Sequence, residues 1–195
     1  MKFRTPLLPL FVIFASLAWA QAQPPATPPP PPAPATPTIA SVLDRPISGV
    51  ERLLVGVAEA MPEDKYSFAP TSGEYKGVRT FAEQLKHVAA INNVVFSAVL
   101  GEPAPPASEQ ENGPAALKSK AEIVKYLQDS FVLAHRAVAA ITDQNAVAPI
   151  KSPFGSGTAT RLGMTTMMVG HGFDHYGQLV EYLRMNGIIP PASRK

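Results

Sequence analysis

The sequence predicts an all-α domain, a four-helix bundle, that follows an N-terminal export signal and a proline-rich linker. Three observations lead to this prediction. The first segment has the layout of a secretory signal, the next is almost entirely Pro, Ala and Thr, and the remainder contains four long stretches with apolar residues at spacings of 3 and 4. No stretch shows the sustained apolar and polar alternation of a half-buried strand. At 195 residues the chain has room for one ordinary domain.

Residues 1–22 predict a cleavable signal peptide. Lys2 and Arg4 give it a basic start, an apolar run follows, and small residues precede a cleavage point after Ala20 or Ala22. The run is shorter than the roughly 20 residues that span a bilayer, which argues against the alternative of an uncleaved anchor. We therefore expect bacterial export to the periplasm or beyond, and no stable membrane span after cleavage.

Residues 23–38 predict a disordered linker in extended polyproline geometry, so the folded domain is expected over residues 39–195. The chain contains no cysteine, which excludes disulfides, a lipidated cysteine and c-type haem attachment. Without Lys2 and Arg4 the 17 basic residues fall to 15 and equal the 15 acidic ones. A nearly neutral chain without basic clusters argues against a nucleic-acid partner.

The first helix is predicted over residues 44–61. Asp44 suits the N-cap position, and Pro46 suits the opening turn, where its missing N–H is not needed. Pro62 cannot continue the helix and ends it. The residues expected to face the core are Ile47, Val50, Leu53, Leu54, Val57 and Met61.

The second and third helices are predicted over residues 80–100 and 119–141, and Gly101 and Pro103 stop the second. Both helices repeat apolar residues at helical spacing, which predicts one buried face on each. The expected core residues of the second are Phe81, Leu85, Val88, Val95 and Val99. Those of the third are Ile123, Leu127, Phe131, Ala134, Val138 and Ile141.

The fourth helix is predicted over residues 160–186, and Gly187 and two prolines close it. Its helical projection has two apolar arcs and an opposite side of glycine and charged residues that faces water. The first arc comprises Met164, Met168, His171, His175, Gln178 and Tyr182, and the second Leu162, Val169, Phe173, Tyr176, Val180 and Leu183. The side expected to face water comprises Gly170, Asp174, Gly177, Glu181 and Arg184.

Two of the four histidines, His171 and His175, lie at positions i and i+4 of the fourth helix. This spacing stacks both imidazoles on one face, about 6 Å apart along the axis, so that two nitrogens can converge on one ion. His87, midway along the second helix, supplies a third nitrogen if the bundle brings these helices together. Three imidazoles with open positions suit zinc, nickel, iron or copper, so we predict one divalent transition metal here.

Alternatives to this metal site stay open at the level of sequence. Each imidazole could simply donate a hydrogen bond inside the core, because HxxxH often arises by chance. His135 is a boundary residue that could still serve as a ligand or support one, and Met164, Met167 and Met168 suggest a copper site, although helix methionines mostly fill cores. Gly172 stands where a zincin HExxH motif has its glutamate, and no ExxH, GxSxG, Walker or GxGxxG motif occurs.

Three stretches resemble the DinB-like (DinB/YfiT) superfamily, in the order in which that family has them. They are MPEDKYSFAP at residues 61–70, RTFAEQLKH at residues 79–87 and HGFDHYGQLVEYLRMNGIIPP at residues 171–191. HxxxHxxQ followed by LRxxGxxPP, with an upstream histidine on the second helix, is quite specific. The resemblance implies an up-down-down-up four-helix bundle and a divalent metal, zinc or nickel, on the three histidines named above.

The resemblance also implies a class of chemistry, because characterised relatives include metal-dependent thiol transferases and an isomerase that uses a low-molecular-weight thiol. One hypothesis is therefore an exported metal-dependent hydrolase or thiol transferase of a small molecule, with Gln178, Tyr182 or Glu83 orienting water or substrate. A second is a non-catalytic metal-binding protein, and a third is a tethered envelope interaction protein. Spare apolar surface on a bundle also suits a homodimer.

Overall fold

Four α-helices and one short β-hairpin make up the part of the chain that the computed structural model describes, residues 36–106 and 111–194. The helices are α1 (Ile39–Ala60), α2 (Phe81–Leu100), α3 (Lys120–Ala139) and α4 (Arg161–Met185), and the strands are β1 (Pro149–Lys151) and β2 (Thr158–Thr160). Short 3₁₀ turns follow α1 at Glu63–Lys65 and α4 at Pro191–Ser193. The predicted signal peptide and the predicted linker up to residue 35 lie outside the described residues.

The bundle core forms where α1 and α2 each pack against both α3 and α4. Every residue predicted to face the core in α2 and α3 is buried. The same holds for the predicted stripe of α1, except that Leu53 is only partly buried at its edge. The apolar periodicity of these three helices therefore predicts their packing faces, because burial of one stripe per helix is what stabilises a bundle.

The start of α1 corrects the prediction, which placed the N-cap at Asp44. The helix begins more than one turn earlier, because Thr38 and Ser41 form a capping box: Thr38 Oγ1 accepts the Ser41 N–H at 3.1 Å, and Ser41 Oγ accepts the Thr38 N–H at 2.9 Å. Pro46 therefore lies inside the helix, where proline costs about 3 kcal/mol because it removes a backbone hydrogen bond and its ring clashes with the preceding turn. Asp44 becomes a helical residue that contacts α3.

The predicted boundaries of the other helices agree with the structure to within about two residues. Capping boxes start α2, where Thr80 pairs with Glu83, and α3, where Ser119 pairs with Glu122. Gly101 ends α2 in the left-handed conformation, with φ of 76°. Among the described residues, none of the helices combines the length and the hydropathy that a membrane span requires.

The hairpin between α3 and α4 corrects the expectation of a purely helical domain. β1 and β2 pair antiparallel, with Ile150 opposite Ala159. Three-residue strands are too short to display an alternating pattern, so sequence periodicity cannot detect them. β2 runs directly into α4, where Thr160 Oγ1 accepts the Gly163 N–H at 3.1 Å. The hairpin thereby fixes the residue at which α4 begins.

Candidate metal centre

Three histidine side chains from two helices meet at their Nε2 atoms. His87 extends from α2, and His171 and His175 extend from α4. Nε2 of His171 lies 3.3 Å from Nε2 of His87 and 3.1 Å from Nε2 of His175. One ligand nitrogen from each ring lies within 4.8 Å of the other two. The structure thus brings together the three residues that the sequence predicts as ligands.

A close contact between α4 and α1 turns the two α4 histidines toward α2. A Cβ placed on Gly172 would lie 2.4 Å from Cγ1 of Val50, so only glycine fits this approach. Neighbouring helical positions are turned by about 100°, and the face that carries His171 and His175 is therefore rotated away from α1. The same contact explains why a glutamate cannot occupy position 172, as a zincin motif would require.

Hydrogen bonds at the Nδ1 atoms of two rings determine which nitrogen of each ring carries the proton. His87 Nδ1–H donates to the backbone carbonyl of Glu111 at 2.5 Å, and His175 Nδ1–H donates to Oε1 of Gln84 at 2.5 Å. A carbonyl oxygen only accepts, so each neutral ring keeps its proton on Nδ1 and directs the Nε2 lone pair inward. Both rings are buried, with 8% of His87 and 5% of His175 exposed. These are the tautomers that bind a metal through Nε2.

The ring of His171 lies in a different environment. Its side chain is partly exposed, but its Nδ1 atom is buried and has no hydrogen-bond partner among the described residues. Its Nε2 faces the Nε2 atoms of His87 and His175. At most one proton is available there to offset the repulsion between the three converging nitrogens. The groups of the protein alone therefore do not satisfy the hydrogen-bonding capacity of these nitrogens.

The burial of the cluster keeps its imidazoles neutral. Burial, followed by the effect of the neighbouring His171 and His87 rings, lowers the pKa of His175 to about 3. Burial, followed by the effect of His87, lowers the pKa of His171 to about 4. The pKa of His87 is also lowered by burial, against the opposing hydrogen bond to Glu111. Neutral rings at physiological pH leave their lone pairs free for an ion.

The residues present fit a divalent transition metal. Two nitrogens bound to zinc at about 2.0–2.1 Å in tetrahedral geometry lie about 3.3–3.4 Å apart. The distances from Nε2 of His171 to the other two Nε2 atoms, 3.3 and 3.1 Å, are close to this value without any movement of the backbone. Three neutral imidazoles without sulfur or carboxylate suit zinc, nickel, iron or copper, and they leave coordination positions open.

A polar cavity of about 460 Å³ lies beside the cluster. Two of its lining residues contact the histidines. Gln84 accepts a hydrogen bond from His175, and the Glu111 carbonyl accepts one from His87. Arg79 also lines the cavity, where its Nε donates to Asn112 Oδ1 at 2.7 Å and its guanidinium pairs with Glu111. A larger cavity of about 710 Å³ lies between the end of α2 and the hairpin, away from the three histidines. The smaller cavity is therefore the one connected to the candidate chemistry.

His135 does not join the cluster. Its Nδ1 contacts Oδ1 of Asp44 and its Nε2 lies 3.0 Å from Oε2 of Glu51, both on α1. Burial opposes the charged ring, but the hydrogen bonds to Glu51 and Asp44 raise the pKa of His135. The partly exposed side chain therefore links α3 to two carboxylates of α1.

Two of the three residues proposed to orient water or substrate have structural roles instead. Oε2 of Glu83 accepts hydrogen bonds from the Thr80 N–H and hydroxyl at 2.8 and 2.9 Å, which completes the N-cap of α2. The Tyr182 hydroxyl donates to the Arg79 carbonyl at 3.0 Å. Gln178 lines the polar cavity, and its amide is hydrogen-bonded to Gln84 and Asp174.

Of the methionines that suggested copper, Met164 and Met168 share one face of α4 and Met167 lies on another. Met168 is buried in the core, whereas Met167 has 39% of its surface exposed and Met164 is partly buried. The side chains whose ligand nitrogens converge among the described residues are the three imidazoles.

Sequence reasoning missed two groups that support the cluster, Gln84 and the Glu111 carbonyl. Gln84 lies three residues before His87 and so shares its helical face, a signal that the spacing does contain. The Glu111 contact comes from a loop backbone, and no side-chain pattern in the sequence reports it.

The comparisons with known proteins agree with this architecture. A family model described as the DinB superfamily matches residues 47–179. A search of curated proteins finds no match.

Three solved structures of bacterial proteins illustrate the similar fold. A DinB-like protein from Bacillus cereus is 13% identical with a TM-score of 0.63, over 79% of this chain and 96% of that one. A conserved protein from Enterococcus faecalis is 13% identical with a TM-score of 0.62, over 77% and 98%. An uncharacterised protein from Escherichia coli is 15% identical with a TM-score of 0.56, over 78% and 96%. At these identities the likeness establishes the fold alone.

Proposed function

Because this chain belongs to the DinB superfamily, we propose that it binds one divalent metal ion, zinc or nickel, and catalyses hydrolysis or thiol transfer on a small molecule. The observation that carries the proposal is the convergence of the Nε2 atoms of His87, His171 and His175, at 3.3 and 3.1 Å. When bound, such an ion acts as a Lewis acid that lowers the pKa of a water or thiol in an open coordination position and so supplies a nucleophile near neutral pH.

The residues of the chain would hold the ion and the substrate in different ways. The Glu111 carbonyl and Gln84 orient two of the ligand rings, which limits their rotation. The adjoining cavity of about 460 Å³ falls within the size range of small-molecule sites, about 300–1,000 Å³. Its polar lining, which includes Asn112 and Gln178, suits a substrate that forms hydrogen bonds. This cavity favours an enzyme over a protein that only carries metal.

We also propose the up-down-down-up order of the helices. Lys120, at the start of α3, donates to the Glu59 carbonyl near the end of α1, while His135 near the end of α3 contacts Asp44 near the start of α1. These contacts support an antiparallel α1 and α3.

Contacts of α4 support the remaining directions. Arg161, at the start of α4, donates to the Val99 carbonyl near the end of α2, and His175 later in α4 contacts Gln84 near the start of α2. These contacts support an antiparallel arrangement of α2 and α4. Along α1, Gly56 lies after the Val50 contact and adjoins Pro191, which follows α4, as expected for a parallel α1 and α4.

We propose that the protein acts outside the cytoplasm, in the periplasm or secreted. The basis is the sequence of residues 1–22, with Lys2 and Arg4 before an apolar run and small residues at the cleavage point. Mass spectrometry of the protein recovered from the periplasm and medium of an expressing bacterium tests this. A mature N-terminus at residue 21 or 23 would support export, and an intact N-terminus in the cytoplasm would contradict it.

The metal is tested by elemental mass spectrometry of the full chain purified from metal-supplemented cells. We expect about one equivalent of zinc or nickel, its loss in a His171→Ala/His175→Ala variant, and its retention in the matched control His135→Ala. Folded proteins without stoichiometric metal would sink the proposal and favour the envelope interaction alternative. Bound metal with no turnover across hydrolase and thiol-transfer substrates would favour the non-catalytic alternative.

A further inference from the structure

A chain of side-chain hydrogen bonds runs from the surface of α4 to the ligand ring of His175. Asp174 Oδ2 accepts from Nε2 of Gln178 at 2.9 Å. Gln178 Oε1 accepts from Nε2 of Gln84 at 2.7 Å, and Gln84 Oε1 faces His175 Nδ1 at 2.5 Å. Gln84 is buried, with 2% of its surface exposed, whereas Gln178 and Asp174 are exposed. The chain therefore links a surface carboxylate to a buried imidazole.

The carboxylate at one end determines the orientation of every group that follows. A carboxylate only accepts hydrogen bonds, so the amide of Gln178 must direct its NH₂ toward Asp174 and its oxygen toward Gln84. Gln84 must then donate its NH₂ to Gln178 and present its oxygen to the ring. An amide oxygen also only accepts, so His175 must carry its proton on Nδ1.

We propose that Asp174, Gln178 and Gln84 form a positioning relay that holds His175 in the Nδ1–H tautomer, with its Nε2 lone pair directed at the cluster, and so tunes metal affinity. The inference rests on the metal site proposed above, but its first prediction concerns the protein without metal. Gln84 also joins α2 to α4 within one turn of His87, so it fixes the distance between ligands on the two helices.

The tautomer is tested by nitrogen-15 NMR of histidine-labelled, metal-free full chain near neutral pH, because long-range couplings distinguish Nδ1–H from Nε2–H. We expect the Nδ1–H form of His175 in the wild type. Gln84→Leu removes the acceptor and should yield a mixture or the other tautomer. Gln84→Glu keeps an acceptor for the ring and should retain the Nδ1–H form. An Nε2–H tautomer in the wild type would overturn the relay.

The second readout is the dissociation constant for zinc, measured by competition with a chelator. We expect Gln84→Leu to weaken binding about 10- to 100-fold, as loss of an outer partner does in other metal sites. Gln84→Glu should recover most of this affinity. Gln178→Ala, on the surface, should weaken binding less than Gln84→Leu, and Asp174→Ala least. Gln128→Leu, exposed on α3, is the matched control and should bind like the wild type.

The two readouts separate the failure of the relay from the failure of the proposed function. Wild-type protein with the expected tautomer but no zinc binding would support the relay and sink the metal site. Zinc binding that is unchanged in Gln84→Leu, together with an unchanged tautomer, would overturn the relay and leave the metal site standing. If Gln84→Leu does not fold, Gln178→Ala carries the same comparison, since loss of the Gln178 acceptor removes one of the contacts that orient the Gln84 amide.

Discussion

His87 and His135 both lie on helices and both have a ring nitrogen on an oxygen acceptor, yet their acceptors differ. His87 donates to the neutral carbonyl of Glu111, and burial lowers its pKa. His135 lies between the carboxylates of Asp44 and Glu51, and its pKa is raised. A neutral acceptor holds a neutral ring with a free lone pair, whereas two carboxylates favour the charged ring, which has none. The outer partner therefore separates a candidate ligand from a ring that links two helices.

The largest expected effect tests this difference through metal affinity. His87→Ala removes a ligand and should weaken zinc or nickel binding by more than the roughly 100-fold that loss of an outer partner causes. His135→Ala should leave binding unchanged, because its ring lies between α1 and α3. Isothermal titration of both variants measures the contrast. Equal losses in the two variants would refute the assignment of distinct roles.

The second prediction concerns the helix contact that orients the α4 histidines. Gly172→Ala places a methyl group against Val50 and should destabilise the fold by about 1–3 kcal/mol in urea unfolding. Gly177→Ala on the same helix meets nothing within 4 Å and should be neutral or stabilising by up to about 1 kcal/mol. If both glycines tolerate alanine equally, the close approach of α4 to α1 does not position the cluster.

The third prediction uses the lowered pKa values of the buried cluster. The pKa of His175 is about 3 and that of His171 about 4 in the folded protein, against about 6.5 in an unfolded chain. Between these values the unfolded chain binds more protons, so the stabilisation present above about pH 6.5 is lost as the pH falls toward the folded values. The Tm of metal-free protein should therefore fall on acidification. His171→Ala/His175→Ala should show a shallower dependence, and an equal slope would contradict the assignment.

The smallest expected effect has the opposite sign and belongs to His135. Its folded pKa is raised, so its contribution is present below about pH 6.5 and is lost as the pH rises through the folded value. Partly exposed ion pairs contribute little, so His135→Gln should cost at most about 1 kcal/mol, and only on the acid side. Asp44→Asn removes one carboxylate and should reduce the same dependence. A pH-independent cost in both variants would mean that the contact is not ionic.

Much of the fold could be predicted because the sequence signals for each helix lie within that helix or next to it. Apolar spacing gives the packing faces, and capping residues such as Thr80 and Ser119 give the starts, since both effects depend on residues a few positions apart. The exception is α1, where Asp44 and Pro46 form a plausible start that the capping box at Thr38 overrides. Both segments contain residues that are favoured at helix starts, and helix propensity alone does not show at which of them the helix begins.

The candidate site could be predicted only as far as its histidines. His171 and His175 are four residues apart in one helix, and packing of facing helices in a bundle can place His87 beside them. The environment of each ring depends on residues far away in sequence: Gln84 lies 91 positions from His175, and the Glu111 carbonyl lies 24 from His87. Such contacts exist only once the helices have packed, so no window of sequence contains them.

The support of His87 by a backbone carbonyl has a consequence for variation among related chains. The carbonyl is present whatever side chain occupies position 111, so replacements of Glu111 should be tolerated by the ring. The path of the loop depends instead on Gly113, where φ is 66° and a Cβ would lie 2.7 Å from Cβ of Lys86. In an alignment of relatives that share this loop, invariance is therefore expected at position 113, two residues from the functional atom and without any chemistry of its own.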